Sequence, residues 1–250
     1  MSERRLPVSV WALAGRQTWR DFRAGELRLL MVAVMLAVAA MSAVGFFAGR
    51  LDAALLRDAA QLLGGDAVVA SDQPAPAPFV RKAQALGLVH SENVSFPSMA
   101  RAPDDRGGAV RLVAVKAVET NYPLRGGLRL RSSPESAEAS VVAAPQRGTV
   151  WVDASLLESL NLKVGDALQL GDAALRIAQL IVQEPDRGAG FMSFAPRVML
   201  HRDDLAATRL VQPASRVTYR LAVASPVARQ AQVSEFVRWA EEEIRAQKLR

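Results

Sequence analysis

Leu29–Gly49 reads LLMVAVMLAVAAMSAVGFFAG: 21 residues with no charge and, apart from Ser42, no polar side chain. At about 1.5 Å of rise per residue such a helix spans roughly 30 Å, the thickness of a bilayer's hydrocarbon core. A buried helix of a soluble protein would show a polar stripe over this length, so the stretch reads as a transmembrane helix. A cleavable signal peptide is the competing reading. It calls for an apolar run of about 7–15 residues behind a short basic leader, whereas here the run is longer and 28 residues precede it.

The flanks give an orientation. Residues 1–50 hold seven arginines against Glu3, Asp21 and Glu26, while the remaining 200 residues carry 24 basic and 22 acidic side chains. Six of those arginines precede the span; after it, Arg50 and Arg57 are offset by Asp52 and Asp58. The positive-inside rule therefore places the N-terminus in the cytoplasm and the rest of the chain outside, which in a Gram-negative cell is the periplasm. The net charge of +6 is thus mostly a topology signal. A nearly neutral body argues against a nucleic-acid partner, which would need a basic stripe on the body itself.

The leader, residues 1–28, interleaves Trp11, Trp19 and Phe22 with Arg16, Arg20 and Arg23. Trp11, Gly15, Trp19 and Phe22 share a helical face, as in an amphipathic helix lying on membrane lipid; the alternative is a disordered basic tail that only sets topology. Beyond residues 29–49, the helical pattern continues through Leu51, Leu55, Ala59, Leu62 and Leu63 into a stalk, residues 50–65, that Gly64-Gly65 ends.

From Asp66 to Arg250 the pattern is that of a mixed α+β body. Strands are expected at Asp66–Ser71, Asn93–Ala102, Thr149–Val152, Val198–Leu200 and Arg216–Ala224, with the β-branched Ala109–Val118 as a central strand. Gly171-Asp172 separates Ala167–Leu170 from Ala173–Val182, a hairpin signature. Helices are expected over Phe79–Leu86, after Asp153 as an N-cap, and at the end, where Val233, Phe236, Val237, Ala240 and Ile244 form one stripe. Arg131–Arg147 reads as a loop.

The chemistry available to this chain is narrow. Zero cysteines exclude a disulfide scaffold, a thiolate metal site and a thiol nucleophile, and two histidines, His90 and His201, leave no multi-histidine metal centre. Neither G-x-x-x-x-G-K-[ST] nor G-x-S-x-G occurs, so neither a P-loop nor a nucleophile elbow is present. His201, before Arg202-Asp203-Asp204, and Asp104-Asp105, in a Gly-rich turn, read as solvated turns. Glu184-Pro185-Asp186 is the most concentrated polar loop of the body; it falls short of the 6–8 oxygens calcium wants and reads as a surface turn. Gly188–Met192 either meets a membrane or partner or folds back with Phe194 into the core. No catalytic, cofactor-binding or metal-binding residue is assigned, no cofactor is implied, and the chain is read as a non-enzyme.

Four stretches in order carry a resemblance: Trp11–Ala40, LVAVKAVETNYPLRGGL (112–128), LNLKVGDALQLGDAALRIAQLIVQEPDRG (160–188) and APRVMLHRDDLAATRLVQPASRVTYRL (195–221). Together they resemble the N-terminal part of the FtsX-like, MacB-type permeases of bacterial ABC transporters, in the long form with two copies of the membrane unit. The resemblance implies a first helix leading into a MacB-like periplasmic core domain, residues 66–250, in the inner membrane. It also implies a cytoplasmic ABC-type ATPase as partner, further permease spans or a second permease copy, and a role as exporter or mechanotransmitter on envelope substrates. A second apolar run does not appear before Arg250, so the resemblance implies an incomplete chain. The alternatives are a single-span, membrane-anchored periplasmic binding or scaffold protein and, less favoured, an envelope hydrolase using His90 or His201.

Overall fold

The computed structural model describes residues 10–188, 194–213, 215–226 and 230–248. The chain divides into two compact units at Leu56/Arg57.

Helix α1 (Val10–Ala24) is followed by Gly25 at φ +94°, a left-handed turn that suits glycine, and then by α2, Glu26–Leu63, whose last seven residues belong to the second unit. The leader is therefore helical from Val10. Trp11 and Trp19 are 87% and 68% exposed among the described residues. Trp19 stacks on Phe22 at 6.3 Å, and the Arg28 guanidinium lies 4.8 Å from the Phe22 ring centre, a cation–π contact. The 38 residues of α2 run without a break through the apolar stretch 29–49 and on to Leu63. Among the described residues it is the one helix long and apolar enough to cross a membrane, and none of its most apolar stretch is buried by protein.

The second unit is built on a mixed sheet. Its strands are β1 (Ala67–Ser71), β2 (Val89–Arg101), β3 (Val110–Val118), β4 (Leu128–Arg131), β5 (Ala139–Val141), β6 (Thr149–Asp153), β7 (Ala167–Leu170), β8 (Ala173–Gln183), β9 (Arg197–His201) and β10 (Thr218–Ala224). The order is β1-β10-β2-β3-β9-β6-β8-β4-β5, with β3/β9 and β6/β8 parallel. β7 pairs both with the end of β2, at Ala100 and Arg101, and with the start of β8. That closes β2-β3-β9-β6-β8-β7 into a ring, which removes their open edges.

Alternation along each strand fills the ring: Val94 and Phe96 of β2, Val113, Val115 and Ala117 of β3, Val198 and Leu200 of β9, and Leu168 and Leu170 of β7 meet inside. Helix α4 (Ala154–Leu160) adds Leu156, Leu157 and Leu160 to that core. Outside the ring, β10 and β1 extend the sheet; α3 (Ala77–Ala85) and α6 (Gln230–Lys248) bury Phe79, Val233, Phe236 and Ala240 against Leu221 and Val223. The expected apolar stripe of the last helix is thus the face it buries. A short helix α5 (Leu205–Thr208) follows β9 and a single 3-10 turn.

Two local expectations fail. Arg131–Arg147 is not wholly a loop: β5 lies in it, and Ala139-Ser140-Val141 has too little apolar pattern to announce a strand, forming one because β4 offers it an open edge. Asp153 occupies the N-cap position of α4, but its side chain makes no capping bond; it is held instead by two arginines, described next.

Candidate functional site

Lys116 sits in the middle of β3, between Val115 and Ala117, which fill the ring. Period-two alternation turns its side chain to the outer face, yet it is only 2% exposed. Two segments cover it: residues 119–127, after β3, and Glu184-Pro185-Asp186-Arg187, after β8. Lys116 Nζ donates to Glu184 Oε1 at 2.7 Å, to Asp186 Oδ1 at 2.7 Å and to the Tyr122 hydroxyl at 2.9 Å. The Tyr122 hydroxyl donates in turn to Asp186. Glu184 Oε2 accepts from Arg197 Nε of β9 at 2.7 Å, and Arg220 of β10 lies 3.6 Å from Asp186 Oδ2.

The expectation of a surface turn at Glu184-Pro185-Asp186 is therefore overturned: Glu184 and Asp186 are 6% and 3% exposed. The physical reason is Lys116. A buried ammonium demands opposite charge, and these two carboxylates supply it. The sequence does carry that signal, a lysine inside the apolar run Val113–Val118, every position of which is buried.

Burial pushes the Glu184 carboxyl upward, but Lys116 and Arg197 outweigh it and hold it below the usual carboxylate value. Burial first, then the charges of Asp186 and Glu184, push the Tyr122 hydroxyl well above its usual value, so it stays a donor. One step outward, Arg187 makes a two-pronged contact with Asp153, at 3.2 and 2.6 Å. Burial opposes the Arg187 charge, and the Asp153 carboxylate overcomes that opposition and raises its pKa. Asp153 also accepts from the Arg197 backbone N–H at 2.9 Å. That engagement is what draws Asp153 away from its capping role.

The cluster lies directly beneath the end of α2. The Gly64 carbonyl accepts from the backbone N–H groups of Leu124 and Arg125 at 3.1 and 3.2 Å. Arg125 donates from Nε and Nη2 to the two oxygens of Asp66, at 2.6 and 2.8 Å, and from Nη2 to the Ser225 carbonyl at 2.7 Å. A Cβ at Gly64, where φ is +70°, would stand 3.3 Å from the Asp186 carboxylate, and one at Gly126 would stand 3.2 Å from Pro185. Gly64 and Gly126 let helix end, covering loop and ionic cluster close on one another.

The histidines are placed apart from this cluster's bonds. His201 Nε2 is 3.2 Å from Thr120 Oγ1, and its Nδ1 accepts from the Asp203 backbone N–H, a capping role at the turn after β9. His90 lies on β2, where its carbonyl accepts from Asn121. Asp104-Asp105 form an exposed 3-10 turn, Asp104 paired with Arg101. Residues 189–193 lie outside the described residues, and Phe194 is 85% exposed. Among the described residues there is no grouping of three or more metal-type ligands. Sealed from solvent, Lys116, Glu184 and Asp186 offer no atom to a substrate; what they can do is fix the geometry of the helix end.

No family model matches the chain. Over 208 residues, 83% of its length, it is 35% identical to the uncharacterized ABC transporter permease YbbP of Escherichia coli strain K12, and it spans 24% of that relative. The resemblance to ABC transporter permeases read from the residues is thus matched by a curated sequence. Among solved structures, the periplasmic region of MacB from Actinobacillus actinomycetemcomitans aligns at 8% identity with a TM-score of 0.42, covering 70% of this chain and 83% of that one. The extracellular domain of the noncanonic ABC-type transporter YknZ from Gram-positive bacteria aligns at 9% identity with a TM-score of 0.43, covering 68% and 88%.

Proposed function

We propose that this chain, similar over most of its length to an ABC transporter permease, is the first membrane span and extracytoplasmic body of such a permease, serving to carry force. On this reading residues 1–28 lie at the cytoplasmic face, 29–49 span the inner membrane, 50–65 form a stalk, and 66–250 form the periplasmic domain. A separate cytoplasmic ATPase supplies the energy; the body acts on envelope substrates as a rigid attachment. The observation that supports it best is the seating of the end of α2: the Gly64 carbonyl, the Arg125–Asp66 pair and the buried Lys116 cluster leave the helix no flexible linker before the body. A simple anchor needs no such joint.

The test exploits the absence of cysteine. Ser132→Cys in the body and Arg16→Cys in the leader, introduced singly, are treated in intact cells with a membrane-impermeant maleimide. The body position is expected to label at once, and the leader position only after the membrane is opened. Labelling of Arg16→Cys alone in intact cells rejects the orientation. The ATPase partnership is read separately, by purifying the full transporter through a tag on this chain and asking whether a P-loop ATPase and nucleotide hydrolysis come with it.

A further inference from the structure

Arg197 has more donors than the ionic cluster uses. Its side chain is 93% buried, with Nε bonded to Glu184 and Nη2 to the Arg187 carbonyl at a long 3.4 Å. Nη1 has no partner among the described residues. A guanidinium presents five N–H donors in a fixed fork, so Arg197 has donors to spare beyond those two contacts. Arg197 lines a cleft of about 560 Å³ on the outer face of the sheet, between β2, β3 and the segment leading into β10.

That volume is within the usual range for small-molecule sites, roughly 300–1,000 Å³. A second cation, the exposed Arg216, lines the same cleft and has no partner among the described residues either. Ser95 and Thr218, opposite one another on β2 and β10, add two hydroxyls, and Pro97 adds an apolar wall. Asp72 is the one acidic residue of the lining.

We infer that this cleft receives the carboxylate or phosphate group of a small molecule, with Arg197 and Arg216 as its cationic walls. The chemistry fits: a planar fork matches the two oxygens of a carboxylate or phosphate, and Arg197 is already oriented by Glu184, so little freedom is lost on binding. Asp72 opposes the ligand's charge and sets a limit on affinity. The site is independent of the force-transmitting reading, since it needs neither an ATPase nor a membrane orientation.

The test uses the whole chain in a neutral detergent and ligand-observed NMR titration with three probes: benzoate, phenyl phosphate and the uncharged benzamide. Either anion is expected to bind more tightly than benzamide. Arg216→Gln, at an exposed position where the fold is retained, should weaken the anions about 5- to 10-fold, the loss of one charge-assisted contact. Asp72→Asn should tighten them, and neither change should move benzamide. The assignment is overturned if benzamide binds as well as both anions, or if Arg216→Gln leaves both anions unaffected.

Discussion

Lys116 is held by what its neighbours supply. Two carboxylates and a phenol replace the water it has lost, and Arg197 and Arg220 hold those carboxylates from their other side. Lys116→Met removes the one cation that bonds both acids, leaving Asp186 with Arg220 at 3.6 Å; the expected cost is about 3–5 kcal/mol, read as a lower midpoint in denaturant titration of the detergent-solubilised chain. The cluster also sets a pH signature. Glu184 is held below its usual value of 4.5, so the unfolded state takes up its proton first as pH falls, and stability drops from about that pH downward. Tyr122 is held above its usual value of 10.0, so the unfolded state loses its proton first, and stability drops as pH rises past 10. Melting temperatures across pH should therefore fall at both ends, with Tyr122→Phe removing the alkaline contribution and leaving the acid one. Lys116 passed unmarked in a strand read only as β-branched and central, and its partners lie 68 and 70 residues away. No local pattern joins them, which is why Glu184 and Asp186 read as solvated.

Elements with their own signals were legible; elements that exist through a neighbour were not. The Gly171-Asp172 hairpin was read from two residues, and Gly171 proves to be constrained twice: φ is +54°, and a Cβ would stand 2.1 Å from the Thr208 carbonyl oxygen. Gly171→Ala is expected to cost at least about 2 kcal/mol, from the left-handed backbone together with that clash, measurable in the same denaturant titration. The β-branched β3 and the striped α6 were equally plain, whereas β5 is three residues completed only by pairing with β4. The joint between α2 and the body has its own test. A Cβ at Gly126 would lie 3.7 Å from that of Gln61, close to the mean of about 3.8 Å in disulfides. The Gln61→Cys/Gly126→Cys pair should cross-link under mild oxidation, shown by loss of two maleimide-reactive thiols; persistent free thiols in a chain whose Gly126→Cys single variant keeps the parent denaturation midpoint would mean that the helix end leaves the covering loop.

For the whole molecule, the apolar run of α2 makes a direct prediction: the chain should remain in the membrane pellet through alkaline carbonate washing and come into solution only with detergent. The long apolar helix and the α+β body were legible because apolar length and strand alternation write themselves into composition. The closing of the ring by β7 was not, since it depends on one short strand meeting two others far apart in sequence. A mechanical consequence follows from where α2 enters the sheet. It feeds β1, which pairs with β10 alone. Tension delivered along β1 by itself would peel an edge strand, breaking its hydrogen bonds one after another, the weakest way to load a sheet. The Arg125–Asp66 bond and the two N–H groups on the Gly64 carbonyl lie ahead of β1 on the load path. On the force-carrying reading proposed above they would pass tension into the 119–127 segment and so into β3, where several strands would share it at once.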